Sequence, residues 1–257
     1  MARVSAPPGR AFVGIGGWSF PPWRGTFYPD KLPQARELAY LAEHLTSTEI
    51  NATFHRTQTP KSFAAWREAV PESFVFALKG PRGVSWRSVL AEAEPSLTRF
   101  LESGITELGD KLGPILWQLP PNRAFNPSMV EAFLELLPDA HQGVTLRHAI
   151  EAHHASFADP GFAALLRRRK VAWAIVDDDG FPEAADDTAR FVYARLKRNA
   201  ADAPDGYGAA ALDAWAAKTR RWTRAGRDCF SYFIGGDKVR APDAAQSLIR
   251  RLSQPTR

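Results

Sequence analysis

A single cysteine, Cys229, stands among 257 residues, so the chain cannot close an internal disulfide and a reducing compartment is expected. No apolar run approaches the roughly 18 residues that a membrane helix needs. The opening Met1 to Arg10 carries charge and prolines without the apolar stretch of a secretory signal. A cytoplasmic protein without membrane contact is therefore expected. No repeat or low-complexity linker divides the chain, so residues 1–10 read as a flexible tail and residues 11–257 as one domain. There is no P-loop, no G-x-S-x-G elbow and no C-x-x-C pair. Gly14, Gly16 and Gly17 follow a strand-like run, but Pro21 and Pro22 come where a dinucleotide-binding helix would begin. These glycines read as a tight strand end, and no cofactor is expected.

What is present is ordinary globular material, 45% hydrophobic and 24% charged. A chain of this length buries roughly three quarters of its unfolded surface. A net charge of +5 is mild over this length and permits attraction to phosphates without demanding it. Eight apolar, β-rich runs recur. They begin at Phe12, Thr48, Phe74, Ile115, Val144, Val171, Phe191 and Phe230. Between them lie helical stripes: Leu38, Leu41, Ala42 and Leu45 fall at i, i+3, i+4 and i+7, and Val130, Phe133, Leu134 and Leu137 repeat the spacing. Looser stripes run through Leu97, Phe100, Leu101 and Leu108, and through Leu212, Trp215, Thr219 and Trp222. Strand–helix alternation implies parallel strands. Eight of them predict an α/β fold of the (β/α)₈ TIM-barrel type, with an open doubly wound sheet as the alternative. Residues 181–190 are too few for a full sixth crossover helix, so the barrel is expected to be irregular there.

Alternate strand residues share a face. In the third strand Val75, Ala77 and Lys79 oppose the apolar Phe74, Phe76 and Leu78; in the seventh, Tyr193, Arg195 and Lys197 oppose Val192, Ala194 and Leu196. The mixed face is expected to point into the barrel. That parity collects Glu49, Asn51, Lys79, Gln118, Arg147, Asp177, Arg195 and Lys197 at the C-terminal rim, where barrel enzymes build their sites. A basic rim favours an anionic ligand, a phosphate or a carboxylate.

The chain also resembles a known family. Gly14-Ile15-Gly16-Gly17-Trp18-Ser19 through Tyr28-Pro29 is similar to the opening of the domain-of-unknown-function 72, or YecE-like, family. Thr48 to Phe54, Phe76 to Arg82, and Leu108 to Pro121 resemble its next three strand signatures, and Arg147-His148, Asp177 and Tyr193-Ala194-Arg195 resemble later ones. The resemblance implies a β/α-barrel and supplies no activity. The family pattern Glu-x-Arg-His-Pro-Ser-Trp, set on Arg147-His148, finds Thr145 in place of Glu and Ala149-Ile150-Glu151 in place of Pro-Ser-Trp. A His of the family pattern after the third strand reads Trp86, and its later His and Asn positions read Lys197, Ile234 and Gly235.

Other groups offer further chemistry. His148, Glu151, His153 and His154 contain metal-ligand types without a metalloprotease spacing. Glu151, His153 and His154 read as a loop, and a divalent metal is only a lesser alternative. Asp177-Asp178-Asp179 offers hard oxygen ligands or simply a polar turn. Trp18, Phe20, Trp23, Phe27, Tyr28 and Phe54 form either a hydrophobic lid or a platform for a ring beside the basic floor. Arg167 to Lys170 closes a helix and reads as structural.

The leading expectation is a barrel enzyme acting at the C-terminal rim on a small anionic substrate, a phosphorylated one among the options. Glu49 is its general acid/base and Asp177 the reserve. Asn51, Lys79, Gln118, Arg147, His148, Arg195, Lys197, Trp18, Trp23 and Tyr232 bind the ligand. The alternatives are a non-catalytic nucleic-acid or phosphometabolite binder and a metal-assisted phosphoesterase.

Overall fold

The computed structural model describes residues 7–254. Residues 1–6 of the expected tail lie outside these. Gly9 and Arg10 are tied to the body, the Gly9 amide donating to the Thr223 carbonyl at 2.8 Å and the Arg10 amide to Asp228 at 2.9 Å.

Parallel strands form a ring: β1 (Ala11–Gly16), β2 (Ser47–Ile50), β3 (Val75–Lys79), β4 (Leu112–Gln118), β5 (His148–Glu151), β6, β7 (Phe191–Leu196) and β8 (Asp228–Phe233). β6 comes in two pieces, Ala172–Trp173 against β5 and Ile175–Asp177 against β7. Because the two pieces adjoin at Ala174, this strand closes the barrel, with the Ala174 amide donating to the Ile150 carbonyl at 2.9 Å. The crossover helices are α1 (Glu37–His44), α2 (Pro60–Glu68), α3 (Glu94–Leu101), α4 (Pro127–Leu136), α5 (Pro160–Arg169), α6 (Ala209–Arg224) and α7 (Ala241–Ser253). Thr59, Asn126 and Asp159 cap α2, α4 and α5 from just before an N-terminal proline, which suits a turn whose first amides have no helical partner. The link between β6 and β7 has no helix, as its length predicts.

The expected inside-out parity holds in β3, β4 and β7. Val75, Ala77, Leu116, Tyr193 and Phe230 fill the barrel, while Phe76, Ile115, Trp117, Val192 and Leu196 pack in the helical layer. Gly14 lets β1 lie close to β2, since a Cβ there would sit 1.9 Å from the Ser47 carbonyl oxygen.

Strand five differs from expectation. Val144–Thr145 pairs antiparallel with Ala140–His141 in a small hairpin. Gln142 and Gly143, at φ 48° and 80°, form its turn, and a turn with two positive φ values matches the twist of a two-residue hairpin. The parallel strand starts four residues later, at His148.

Candidate rim site

The displaced strand changes the rim. Ala149 and Glu151 now face the barrel, so Glu151, read from the sequence as a loop residue, closes β5 as a buried carboxylate. Arg147 sits at the opposite end. It bonds Asp228 at 3.2 Å and lies over the ring of Phe230, where β8 begins. Its expected rim position is corrected accordingly. His148 faces the helical layer: Nδ1 accepts from the Trp117 indole at 3.1 Å and Nε2 donates to the Pro138 carbonyl at 2.8 Å. Burial holds this imidazole below its usual pKa, and its neutral form satisfies both bonds.

Asp177 is also outside the barrel. Odd-numbered residues of β6 share the outward face with Ile175, and Asp177 accepts from the Tyr207 hydroxyl and, at 3.1 Å, from the Trp215 indole of α6. Its outer neighbour Asp179 is paired with Arg198 on the surface. Trp18 packs against Trp66 and Phe76 in the helical layer, and Trp23 is fully buried with its indole donating to the Lys238 carbonyl at 2.9 Å. The opening aromatics are thus core rather than platform. Tyr232 is inside but buried, its hydroxyl 2.8 Å from Ser47, one inward position before Glu49 on β2.

What converges is a compact polar group. Glu49, wholly buried, accepts from Arg195 Nε at 3.0 Å, from Arg195 Nη2 at 2.9 Å and from the Tyr193 hydroxyl at 2.7 Å. The remaining arm of the same guanidinium meets Glu151. Glu151 also accepts from Gln118 at 2.7 Å and lies 3.5 Å from Lys197 Nζ. Burial alone would raise the Glu151 carboxyl, but Arg195, Lys197 and the hydrogen bonds from Arg195 and Gln118 prevail and hold it at about 2.

Lys79 stands apart. Its ammonium rests 4.1 Å from the centre of the Phe54 ring and forms no ion pair among the described residues. Burial pushes its pKa below the ordinary range and Arg195 pushes the same way, against Glu49 and Glu151. Lys197, also lowered chiefly by burial, lies 3.9 Å from the centre of the Phe181 ring. Asn51, half-buried where β2 ends, touches the Glu49 carbonyl at 3.4 Å. Phe54 and Phe181 thus flank the two ammonium groups, and the Trp86 ring stands edge-on to Phe54 at 6.0 Å. Among the described residues, no three His, Cys, Asp or Glu side chains gather as a metal cluster would. His154 instead caps a short turn through Ser156, and His153 packs on Phe181.

The fold and this rim define a parallel β/α-barrel whose C-terminal mouth presents amines above a buried carboxylate–guanidinium network. The chain belongs to the family described as "Protein of unknown function DUF72", whose model matches residues 12–257. A crystal structure of a DUF72 protein from Thermotoga maritima is similar with a TM-score of 0.78 at 23% identity, covering 95% of this chain and 100% of that one. One from Enterococcus faecalis gives 0.75 at 18% identity, over 96% and 97%. The UPF0759 protein YunF of Bacillus subtilis is 26% identical over 121 residues, 43% of this chain. That match spans only 40% of the relative's length.

Proposed function

We propose that the mouth of the barrel is the active site of an enzyme that takes a small anionic substrate, phosphorylated or carboxylated. The observation that carries this reading is Lys79, a partly buried ammonium with no carboxylate partner beside the paired residues of the rim. An anion placed there would meet Lys79 and Lys197, and the low-dielectric surroundings would strengthen the attraction.

Lys79 is then the proton carrier in place of Glu49, because crowding by burial and Arg195 eases loss of its proton. Glu49, with both oxygens engaged by Arg195, acts as a positioning residue that holds the guanidinium in place. Gln118 is fixed through its Nε2 by Glu151 and leaves its side-chain Oε1 for the substrate. Asn51 lines the other side of the mouth.

Competitive acetylation with acetic anhydride, read lysine by lysine from peptide masses, tests the assignment. Small phosphates and carboxylates should protect Lys79 and Lys197 but not the exposed Lys31 and Lys61. A neutral sugar of similar size should protect none. Equal protection by both kinds of ligand, or none by anions, would remove the proposal.

A further inference from the structure

Phe54 and Trp86 line a cavity of about 650 Å³ that Lys79 and Lys197 do not border. Three segments frame it: the turn after β2, the loop after β3 and the outer side of α3. Its charged lining has one sign. Arg56, Arg82, Arg87 and Arg99 border it with His55, and no carboxylate does. Glu94 and Glu102 line an adjoining depression with Arg99, yet neither forms an ion pair with it. None of the four guanidinium groups has a carboxylate partner among the described residues.

The cavity is held in shape by its own contacts. Arg123 donates to the Ser88 carbonyl at 3.3 Å and to that of Arg87, fixing the loop after β3. Arg87 reaches Ser96 on α3 at 3.5 Å, and Arg82 lies 4.9 Å from the centre of the Trp86 ring. The Trp86 indole donates to the Gln118 carbonyl at 3.1 Å, joining this wall to the rim. Four like charges around one cavity repel one another, and a polyanion is the counter-charge that relieves them. Guanidinium forks match phosphate oxygens in pairs. The volume exceeds that of a phosphate group and falls in the range of small-molecule pockets. Trp86, 37% exposed, adds an apolar surface for an organic part.

We propose that this cavity binds the phosphate groups of a small, multiply charged organic phosphate, at a site separate from Lys79. This inference stands without the rim reading.

The test is calorimetric titration with inorganic pyrophosphate, with adenosine diphosphate and with a short single-stranded oligonucleotide. Wild type, Lys79→Ala, Arg87→Ala/Arg99→Ala and Arg56→Ala/Arg82→Ala are compared at two salt concentrations. All of these arginines are exposed, so the double variants should unfold at the wild-type temperature. Pyrophosphate and adenosine diphosphate should bind wild type and Lys79→Ala alike and weaken with salt. Each double variant should bind about tenfold more weakly or worse. Tighter binding of the diphosphate than of pyrophosphate identifies the organic part as a second contact. No binding of either, or unchanged affinity in both double variants, overturns the proposal. Loss in Lys79→Ala with retention in the arginine variants also overturns it, while placing the anion on the rim. Binding of the oligonucleotide alone overturns it in favour of a strand.

Discussion

Arg195 on β7 grips Glu49 on β2 through two parallel hydrogen bonds, of 3.0 and 2.9 Å, across the interior of the barrel. Its third arm meets Glu151, so one guanidinium bridges two carboxylates that are almost wholly buried, and Lys197, 3.5 Å from Glu151, supplies the second positive charge. Removing the guanidinium would leave Glu49 buried with no ion-pair partner and Glu151 with Lys197 alone. Arg195→Ala should therefore cost about 3–5 kcal/mol of stability. Arg195→Lys should restore only part, because an ammonium cannot form the fork. Urea unfolding measures both, and a loss under about 1 kcal/mol in Arg195→Ala would show that the network does not hold the barrel together.

The same network sets an acid limit. The Glu151 carboxyl is held at about 2 in the folded protein, against an ordinary 4.5. A carboxyl depressed on folding contributes stability that is complete above its unfolded pKa and vanishes as pH falls through the folded one. Stability should thus decline from about pH 4.5 down to about 2. Glu151→Gln should flatten that part of the profile. An unchanged profile in Glu151→Gln would show that other groups govern acid unfolding.

Arg147 and Lys79 both looked like rim cations in the sequence, and the structure separates them to opposite ends of the barrel. Arg147→Met gives up a half-exposed ion pair and a ring contact, worth about 1 kcal/mol together. It should leave anion protection of Lys197 intact, whereas Lys79→Ala should reduce that protection without a loss of stability. The reverse pattern would place the anion at the wrong end.

Asp177 accepts from Tyr207 and Trp215 in the helical layer. Asp177→Ala leaves two partly buried donors short of an acceptor and should cost about 1–3 kcal/mol. The acetylation pattern of Lys79 should not change. A large change there, with stability unaltered, would return Asp177 to the site.

Much of the barrel was legible because, in several strands, polar residues at alternate positions mark the inner face against a wholly apolar outer one. In β3 and β7 the mixed face named Lys79, Arg195 and Lys197 correctly as inward-facing. Strand five was misread because Val144-Thr145-Leu146-Arg147 alternates as well as His148-Ala149-Ile150-Glu151 does. The Gln142-Gly143 turn was the available signal, since it commits the residues after it to a hairpin. That shift of four residues hid Glu151 and promoted Arg147. Asp177 was misplaced by one residue of parity, because β6 has small or apolar residues on both faces and no pattern to fix its register. The arginine cavity could not be read at all. Its four cations come from a turn, a loop and a helix that only the closed barrel brings together.

The most direct measurement is the titration of Lys79 itself, by NMR of reductively ¹³C-methylated protein carrying Arg87→Ala/Arg99→Ala, so that anion binding at the arginine cavity is weakened. Without ligand the Lys79 pKa should lie below the ordinary lysine value of 10.5. It should rise when inorganic phosphate is added, because an anion that binds the ammonium must by linkage favour it. A Lys79 resonance that titrates at its ordinary value, or one that phosphate leaves unmoved, would contradict an anion site at the mouth of this barrel.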